Sequence, residues 1–259
     1  MKEPLLIVAA APEELAGLAA DLRDGRESVA GGRRIREGWL QGIRVRLLAS
    51  GPGLANAVHA TTVAVESKRP RGILNIGCAG AFTAAGLDVG DVALASAAVD
   101  FHLGLEPVDG GIVPDPPPFP VLPEANGEIA ERAGWYPCNA EWLQDAKEAL
   151  SSTTDFRMPV GPILTVSTVT TSDERAAELF DRFQPVMEAM EGAGVAHVAA
   201  LYKIPFLELR AAANRVGRRE REGWNLPLAF ERCAEAVRRI LAAGAIPAPN
   251  SQSGKTRPG

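Results

Sequence analysis

Runs of consecutive apolar residues, rather than alternating ones, constrain this chain most. They occur as "PLLIVAAA" (4–11), "GILNIGCAGAF" (72–82), "GDVALASAAV" (90–99), "VGPILTVSTVT" (160–170) and "IPFLELRAAAN" (204–214). Such runs are the pattern of strands covered on both faces. Between them the spacing turns helical. Pro12 stands at a helix start with Glu13 and Glu14 in the first turn, and the glycine turn "GPGLANA" runs into a helix over 54–66. "NAEWLQDAKEALSS" is amphipathic behind Asn139, "SDERAAELFDRF" follows Ser172, and "LPLAFERCAEAVRRILAAGA" forms a long amphipathic helix; Asn and Ser are favoured N-caps. Doubly covered strands alternating with amphipathic helices predict an α/β protein of three layers, a single domain over 1–246. A chain of 259 residues is long enough for one large core.

Two stretches depart from this rhythm. "RRIREGWLQGIRVRLLASG" reads as a hairpin turning at Gly42, with Ile43, Val45 and Leu47 on one face and Arg44 and Arg46 on the other. Residues 104–134 carry Pro107, Pro114, Pro116, Pro117, Pro118, Pro120 and Pro123, which leave no room for a regular element and predict a long surface loop. The polar segment 247–259 reads as a disordered tail.

A net charge of -5 argues against a nucleic-acid or anionic-membrane surface, leaving small molecules as the expected partners. No apolar run reaches the ~18 residues of a membrane span, and Pro12 with two acids follows the first apolar run where a signal peptide would need small residues, so a cytoplasmic location is expected. Cys78, Cys138 and Cys233 lack metal-ligand spacing, and His59, His102 and His197 are scattered singly; no metal and no cofactor are expected.

In open α/β sheets ligands sit beyond the carboxyl ends of strands. Polar residues there are the candidates. Glu14 follows the first strand; it reads either as a helix-dipole acid, as Glu13 does, or as a general base for water. Glu191 lies among Ala189, Met190, Gly192, Ala193 and Gly194, where an unpaired carboxylate would cost several kcal/mol. It therefore needs donors, either sugar hydroxyls or the backbone of its own helix start. "ELRAAAN" sets Glu208, Arg210 and Asn214 at or past the last strand, and "GCAGAF" ends a central one. Gly51, Gly53, Gly77 and Gly80 permit close backbone approach, but "GPGLAN" is not the dinucleotide fingerprint. His197 shares a helix face with Ala193 and Leu201 and reads as a core histidine; "VGRREREG" (216–223) reads as a solvated loop.

Taken together, "VAAAPEEL", "ASGPGLANA", "NIGCAGAF", "VGPILTVSTVT" and "AMEGAGVAHVAALYKIPFLELRAAANRVG" resemble the nucleoside phosphorylase and nucleosidase superfamily, over nearly the whole chain, and within it the futalosine hydrolase branch. The resemblance implies a central mixed sheet flanked by helices, a homo-oligomer, and cleavage of a purine N-ribosidic bond in a small-molecule nucleoside. It assigns Glu191 to the ribose hydroxyls, Met190 to packing under the sugar, Glu14 to activating water, and Arg210 to orienting Glu14. Cys78, Ala79 and Gly80 would line the substrate, and Val169 and Thr170, past their strand, would face the base. No arginine stands in "AAAPEELAGLA" where the phosphorylase branch binds phosphate, which favours water as the nucleophile; Arg44 and Arg46 remain the basic residues able to approach from elsewhere.

Asn214 discriminates most. Adenine-cleaving nucleosidases of this resemblance carry aspartate there; an asparagine offers an acceptor and a donor but no proton, which suits N7–H and the 6-oxo oxygen of hypoxanthine. Read locally, it is equally a turn residue. Cys78 and Ala213 replace serines of the adenine nucleosidases, removing two hydroxyls, and His102 in "FHLGLE" stands where futalosine hydrolases tend to carry an acid. An adenine-type nucleosidase, a phosphorylase and a nonenzymatic nucleoside-binding relative remain the alternatives.

Overall fold

The computed structural model describes residues 3–108, 114–115, 117–119, 121–122, 134–218 and 221–246. The expected tail and most of the proline-rich loop lie outside the described residues; of that loop, one isolated bridge joins Leu105 to Asp115.

Each apolar run is a strand. β1 (Leu5–Ala9), β5 (Gly72–Ala81), β6 (Val92–Asp100) and β10 (Phe206–Arg215) bury nearly every residue, and β8 (Val160–Thr165) buries its second half. The hairpin is β3 (Arg33–Leu40) and β4 (Ile43–Ala49). Three further strands complete the sheet: β2 (Arg23–Ala30), β7 (Trp135–Pro137) and β9 (Met187–Ala189). The fold is α/β with a mixed sheet between helices, as expected. β1 runs parallel to β4 and β5, β10 parallel to β5, and β8 parallel to β6 and β9, while β2, β3, β7 and β9 supply antiparallel pairs.

The strand order β10-β6-β8-β9-β5-β1-β4-β3-β2 includes a second pairing, β10 with β5. Five strands thus close on themselves into a ring, with β1, β4, β3 and β2 extending from it as an open sheet. β5 is the hinge of this arrangement. Its first half pairs with β1, and its last two residues, Gly80 and Ala81, pair with Glu188 and Met187 of β9.

The helices are α1 (Pro12–Ala20), α2 (Leu54–Ser67), α3 (Ala140–Leu150), α4 (Asp173–Phe183), α5 (Gly192–Leu201) and α6 (Leu226–Ala242). α6 packs on α1 and α3, and α2 packs on α5. Asn139 and Ser172 cap α3 and α4 by accepting the backbone N–H groups of Trp142 and Arg175. α4 covers a smaller apolar cluster around Phe82, Phe101, Val166 and Val216.

Two expectations need correction. Arg46 does not face solvent. It is buried and donates to the carbonyls of Ala64 and Lys68 and to Ser67 Oγ, satisfying the C-terminal end of α2, while Arg44 pairs with Glu37. The end of a helix presents unpaired carbonyls, and a long guanidinium under it supplies their donors. The run at 160–170 is strand only to Thr165; Val166 still donates its N–H to the Ala189 carbonyl at 2.8 Å, and Ser167–Thr171 is loop.

Candidate active site

Arg210 joins the carboxylates. It is fully buried in β10; its Nε donates to Glu208 Oε1 at 2.9 Å, and its Nη1 stands 3.3 Å from Glu191 Oε2. Glu14 reaches the same group from α1. A Cβ placed on Gly77 would lie 2.5 Å from Glu14 Oε1 and 2.8 Å from Arg210 Nη1, so the two side chains meet over a backbone that must lack one. Gly77 also has φ +147°, a conformation L side chains rarely adopt. Burial alone would lower the Arg210 guanidinium; the charges of Glu208, Glu191 and Glu14 override it and raise its pKa above the ordinary arginine value. Glu208, wholly buried, is pushed up by burial, an effect opposed by Arg210.

The helix-start reading of Glu14 is realised by one oxygen, and the other is held by the backbone of β5. Oε2 accepts the N–H of Ala11 at the start of its own helix, and Oε1 accepts the N–H of Cys78 on β5, each at 2.8 Å. Glu13, by contrast, is exposed.

For Glu191 the self-capping alternative fails. Its Oε1 accepts the N–H of Gly53 at 3.0 Å, and the start of α5 is served instead by Thr165, whose Oγ1 accepts the N–H of Ala193. Small residues at the start of α5 let this happen: Gly192 lies directly against the Glu208 carboxylate, and Gly194 against α2.

A second group of polar side chains lies three residues further along β5. Asn214, half-buried, pairs in register with Gly80 after an irregularity between Ala212 and Asn214. Its Nδ2 donates to the Arg215 carbonyl at 2.9 Å. A Cβ on Gly80 would lie 3.2 Å from Asn214 Nδ2 and 3.5 Å from Glu188 Cγ. Glu188 is buried, and its Oε1 accepts the N–H of Thr170 at 3.0 Å. At about 3.3 Å per residue, Gly77 and Gly80 mark centres about 10 Å apart.

The structure therefore gathers Glu14, Arg210, Glu191 and Cys78 at one end of this stretch, and Gly80, Asn214 and Thr170 at the other, with Ala79 buried between. Met190, half-buried, packs on the cluster under α4 beside them. Val169 is exposed in the loop before Thr170. The Cys78 thiol is pushed up to about 12, by burial first and then by the charge of Glu14, so it is no thiolate nucleophile. His197 is the satisfied histidine expected, with Nδ1 3.0 Å from the Tyr136 hydroxyl. His102 lies under α4, its Nε2 3.2 Å from Arg175 Nη2, and burial and then the Arg175 charge lower its pKa. Glu188 was not singled out from sequence: it reads as a polar residue preceding a small apolar run, and only its pairing across Gly80 reveals its place. Among the described residues no group of three or more His, Cys, Asp or Glu is arranged to hold a metal, and no helix is long and apolar enough to cross a membrane.

Known proteins resemble this chain in sequence and in fold. The family model of the phosphorylase superfamily matches residues 4–243. The futalosine hydrolase of Streptomyces coelicolor is 33% identical over 222 residues, covering 80% of each chain. The 5'-methylthioadenosine/S-adenosylhomocysteine nucleosidase of Chromohalobacter salexigens is 27% identical over 215 residues, 83% of this chain and 85% of that one. Among solved structures, the nucleosidase of the latter kind from Colwellia psychrerythraea, in complex with adenine, superposes with a TM-score of 0.80 at 23% identity, covering 94% of this chain and 96% of that one. The futalosine hydrolase of Helicobacter pylori does so with 0.79 at 21%, covering 92% and 97%. The chain belongs to the phosphorylase superfamily, as a nucleosidase of the group that holds the methylthioadenosine/S-adenosylhomocysteine nucleosidases and the futalosine hydrolases.

Proposed function

We propose that this chain is a futalosine hydrolase, cleaving the N-ribosidic bond of futalosine with water to release hypoxanthine and the dehypoxanthinyl sugar, a step of menaquinone biosynthesis. The observation that carries the reading is the convergence of Glu14 and Glu191, 177 positions apart in sequence, on the single guanidinium of Arg210. Glu14 takes a proton from water, whose oxygen bonds to the anomeric carbon. The bond from that carbon to the purine nitrogen breaks and its electron pair leaves with the base, which takes up a proton from solvent at N7, while Glu14 returns the proton it took to solvent. Glu191 accepts hydrogen bonds from the ribose hydroxyls and Met190 packs beneath the sugar. The transition state is oxocarbenium-like, and carboxylates in a dry pocket favour the positive charge that develops. Arg210 holds both acids in place, a positioning role.

Asn214 supports a 6-oxopurine leaving group. Its amide keeps a second N–H for the 6-oxo oxygen after donating to Arg215, and Oδ1 accepts from N7–H. A homo-oligomer acting on a small-molecule nucleoside, without metal or cofactor, belongs to the same reading.

The test is incubation with futalosine, inosine and methylthioadenosine, with and without phosphate, followed by chromatography of the free base. Hypoxanthine from futalosine without phosphate is the expected result. Adenine from methylthioadenosine as the main product, or phosphate-dependent release, overturns it; tight binding without release, unchanged by Glu14→Gln, identifies a binding relative instead.

A further inference from the structure

We infer that Glu188 selects the base: its free carboxylate oxygen accepts the N1–H that a 6-oxopurine carries and adenine lacks. This rests on the nucleoside site proposed above and deepens it.

Glu188 is only 5% exposed, and one oxygen is already committed to the Thr170 N–H. The other, Oε2, is buried with no hydrogen-bond partner among the described residues, and neither has the hydroxyl of Thr170 beside it one of good geometry. A buried carboxylate oxygen without a donor is costly, and natural sites that keep one use it. Nothing in the packing demands an acid here. The β9 position needs only a strand residue, and the adjoining cluster of Phe82, Val166 and Val216 is apolar.

The placement supplies the reason. Glu188 Cγ and Asn214 Nδ2 would both touch a methyl group set on Gly80, so the two side chains stand over one backbone position. A purine whose N7 and C6 substituent meet Asn214 presents N1 next along the same edge. In hypoxanthine that nitrogen bears hydrogen; in adenine it bears a lone pair, which a carboxylate repels. Asn214 and Glu188 thus read adjacent parts of one base, and both favour the 6-oxo form.

Burial, the largest effect, raises the Glu188 carboxyl, and hydrogen bonds from Thr170 and the charge of Arg175 oppose that rise. The ionised carboxylate accepts from N1–H; a protonated Glu188 would instead donate to adenine N1 and the preference would reverse.

The experiment measures binding of free hypoxanthine, 1-methylhypoxanthine and adenine to the full chain and to Glu188→Gln by calorimetry. The glutamine keeps an oxygen for Thr170 and turns an amide donor toward the base. The wild type should prefer hypoxanthine over adenine, and Glu188→Gln should move that ratio toward adenine by about 5- to 150-fold, the range for one mismatched buried hydrogen bond. A merely structural residue would weaken both bases equally, so an unchanged ratio overturns the inference. If the variant does not fold, the wild type still decides. It should bind 1-methylhypoxanthine at least about 5-fold more weakly than hypoxanthine, and equal binding overturns the inference. A wild type that prefers adenine defeats the 6-oxopurine reading itself, before any variant is made.

Discussion

Replacing Arg210 by methionine keeps most of the side-chain volume and removes the charge. It leaves Glu208, fully buried, with only the Asn75 amide as a donor, at 3.1 Å, and Glu191 with the N–H groups of Gly53 and Met190. Breaking a buried pair by removing one partner costs about 3–5 kcal/mol, because the other charge stays behind. The figure can be worked from titration. The folded pKa of Glu208 is already raised above its ordinary 4.5 by burial, and Arg210 is the largest force opposing that rise. A group raised on folding contributes fully below its unfolded pKa and loses that contribution as pH climbs toward the folded value. Without Arg210, holding Glu208 protonated costs up to about 1.4 kcal/mol per pH unit above 4.5, hence about 4 kcal/mol at pH 7.5 and about 1.4 kcal/mol at pH 5.5. The thermal midpoint of Arg210→Met should therefore lie well below that of the wild type at pH 7.5. The gap should narrow by up to about 5–10 °C at pH 5.5, using about 2–4 °C per kcal/mol for a chain of this size, less the part of the same pH dependence that the wild type already carries. Thermal unfolding followed by circular dichroism at the two pH values measures it. A gap of equal size at both would mean that Arg210 acts through packing, and the electrostatic account of the cluster would fall.

Three further outcomes follow from the same geometry. Glu14→Gln should lower kcat by about 10²- to 10⁴-fold, the span of general base catalysis, with KM changed only a few-fold; steady-state kinetics on futalosine separates the two. Asn214→Asp should shift base release from hypoxanthine toward adenine nucleosides by about 5- to 150-fold in kcat/KM, since a carboxylate cannot donate to a 6-oxo oxygen. Gly77→Ala should abolish most activity, because its methyl would sit 2.5 Å from Glu14 Oε1 at a φ of +147°; an activity assay on protein that retains its circular dichroism spectrum checks it.

Much of this was legible because burial writes itself into apolar runs. β1, β5, β6 and β10, with the second half of β8, are covered on both faces, so their sequences are largely apolar, and the caps Asn139 and Ser172 announce their helices. What was not legible depends on distant partners. β2, "RDGRESVA", is exposed along nearly all its length and exists by pairing with β3, so no core-facing pattern marks it. β9 is three residues long, and the ring closure depends on β5 meeting β10 and β9 together. Arg46 alternates with apolar residues as a solvent-facing side chain would, and is buried because α2 ends above it. Glu14 and Glu191 were readable by their position past buried strands and by resemblance; Arg210 and Asn214 were readable by resemblance, since β10 continues through both to Arg215. Glu188 was not, since its significance is a contact across Gly80.

Around Arg210 the charges do not balance, and the imbalance is informative. Three carboxyl groups, on Glu14, Glu191 and Glu208, face one guanidinium in a buried setting. Burial favours the protonated form of Glu208, yet even so two acids remain against one cation. Stability alone would not select this, because well-packed apolar residues of similar volume are often as good as a buried ion cluster or better. A fold that retains an excess of acid where water is scarce gains only when something positive arrives. In the proposed reaction that something is the ribosyl group, which becomes cationic only as its bond to the purine breaks. The attraction is then stronger in the transition state than with bound substrate, which is the condition for accelerating chemistry rather than merely tightening binding.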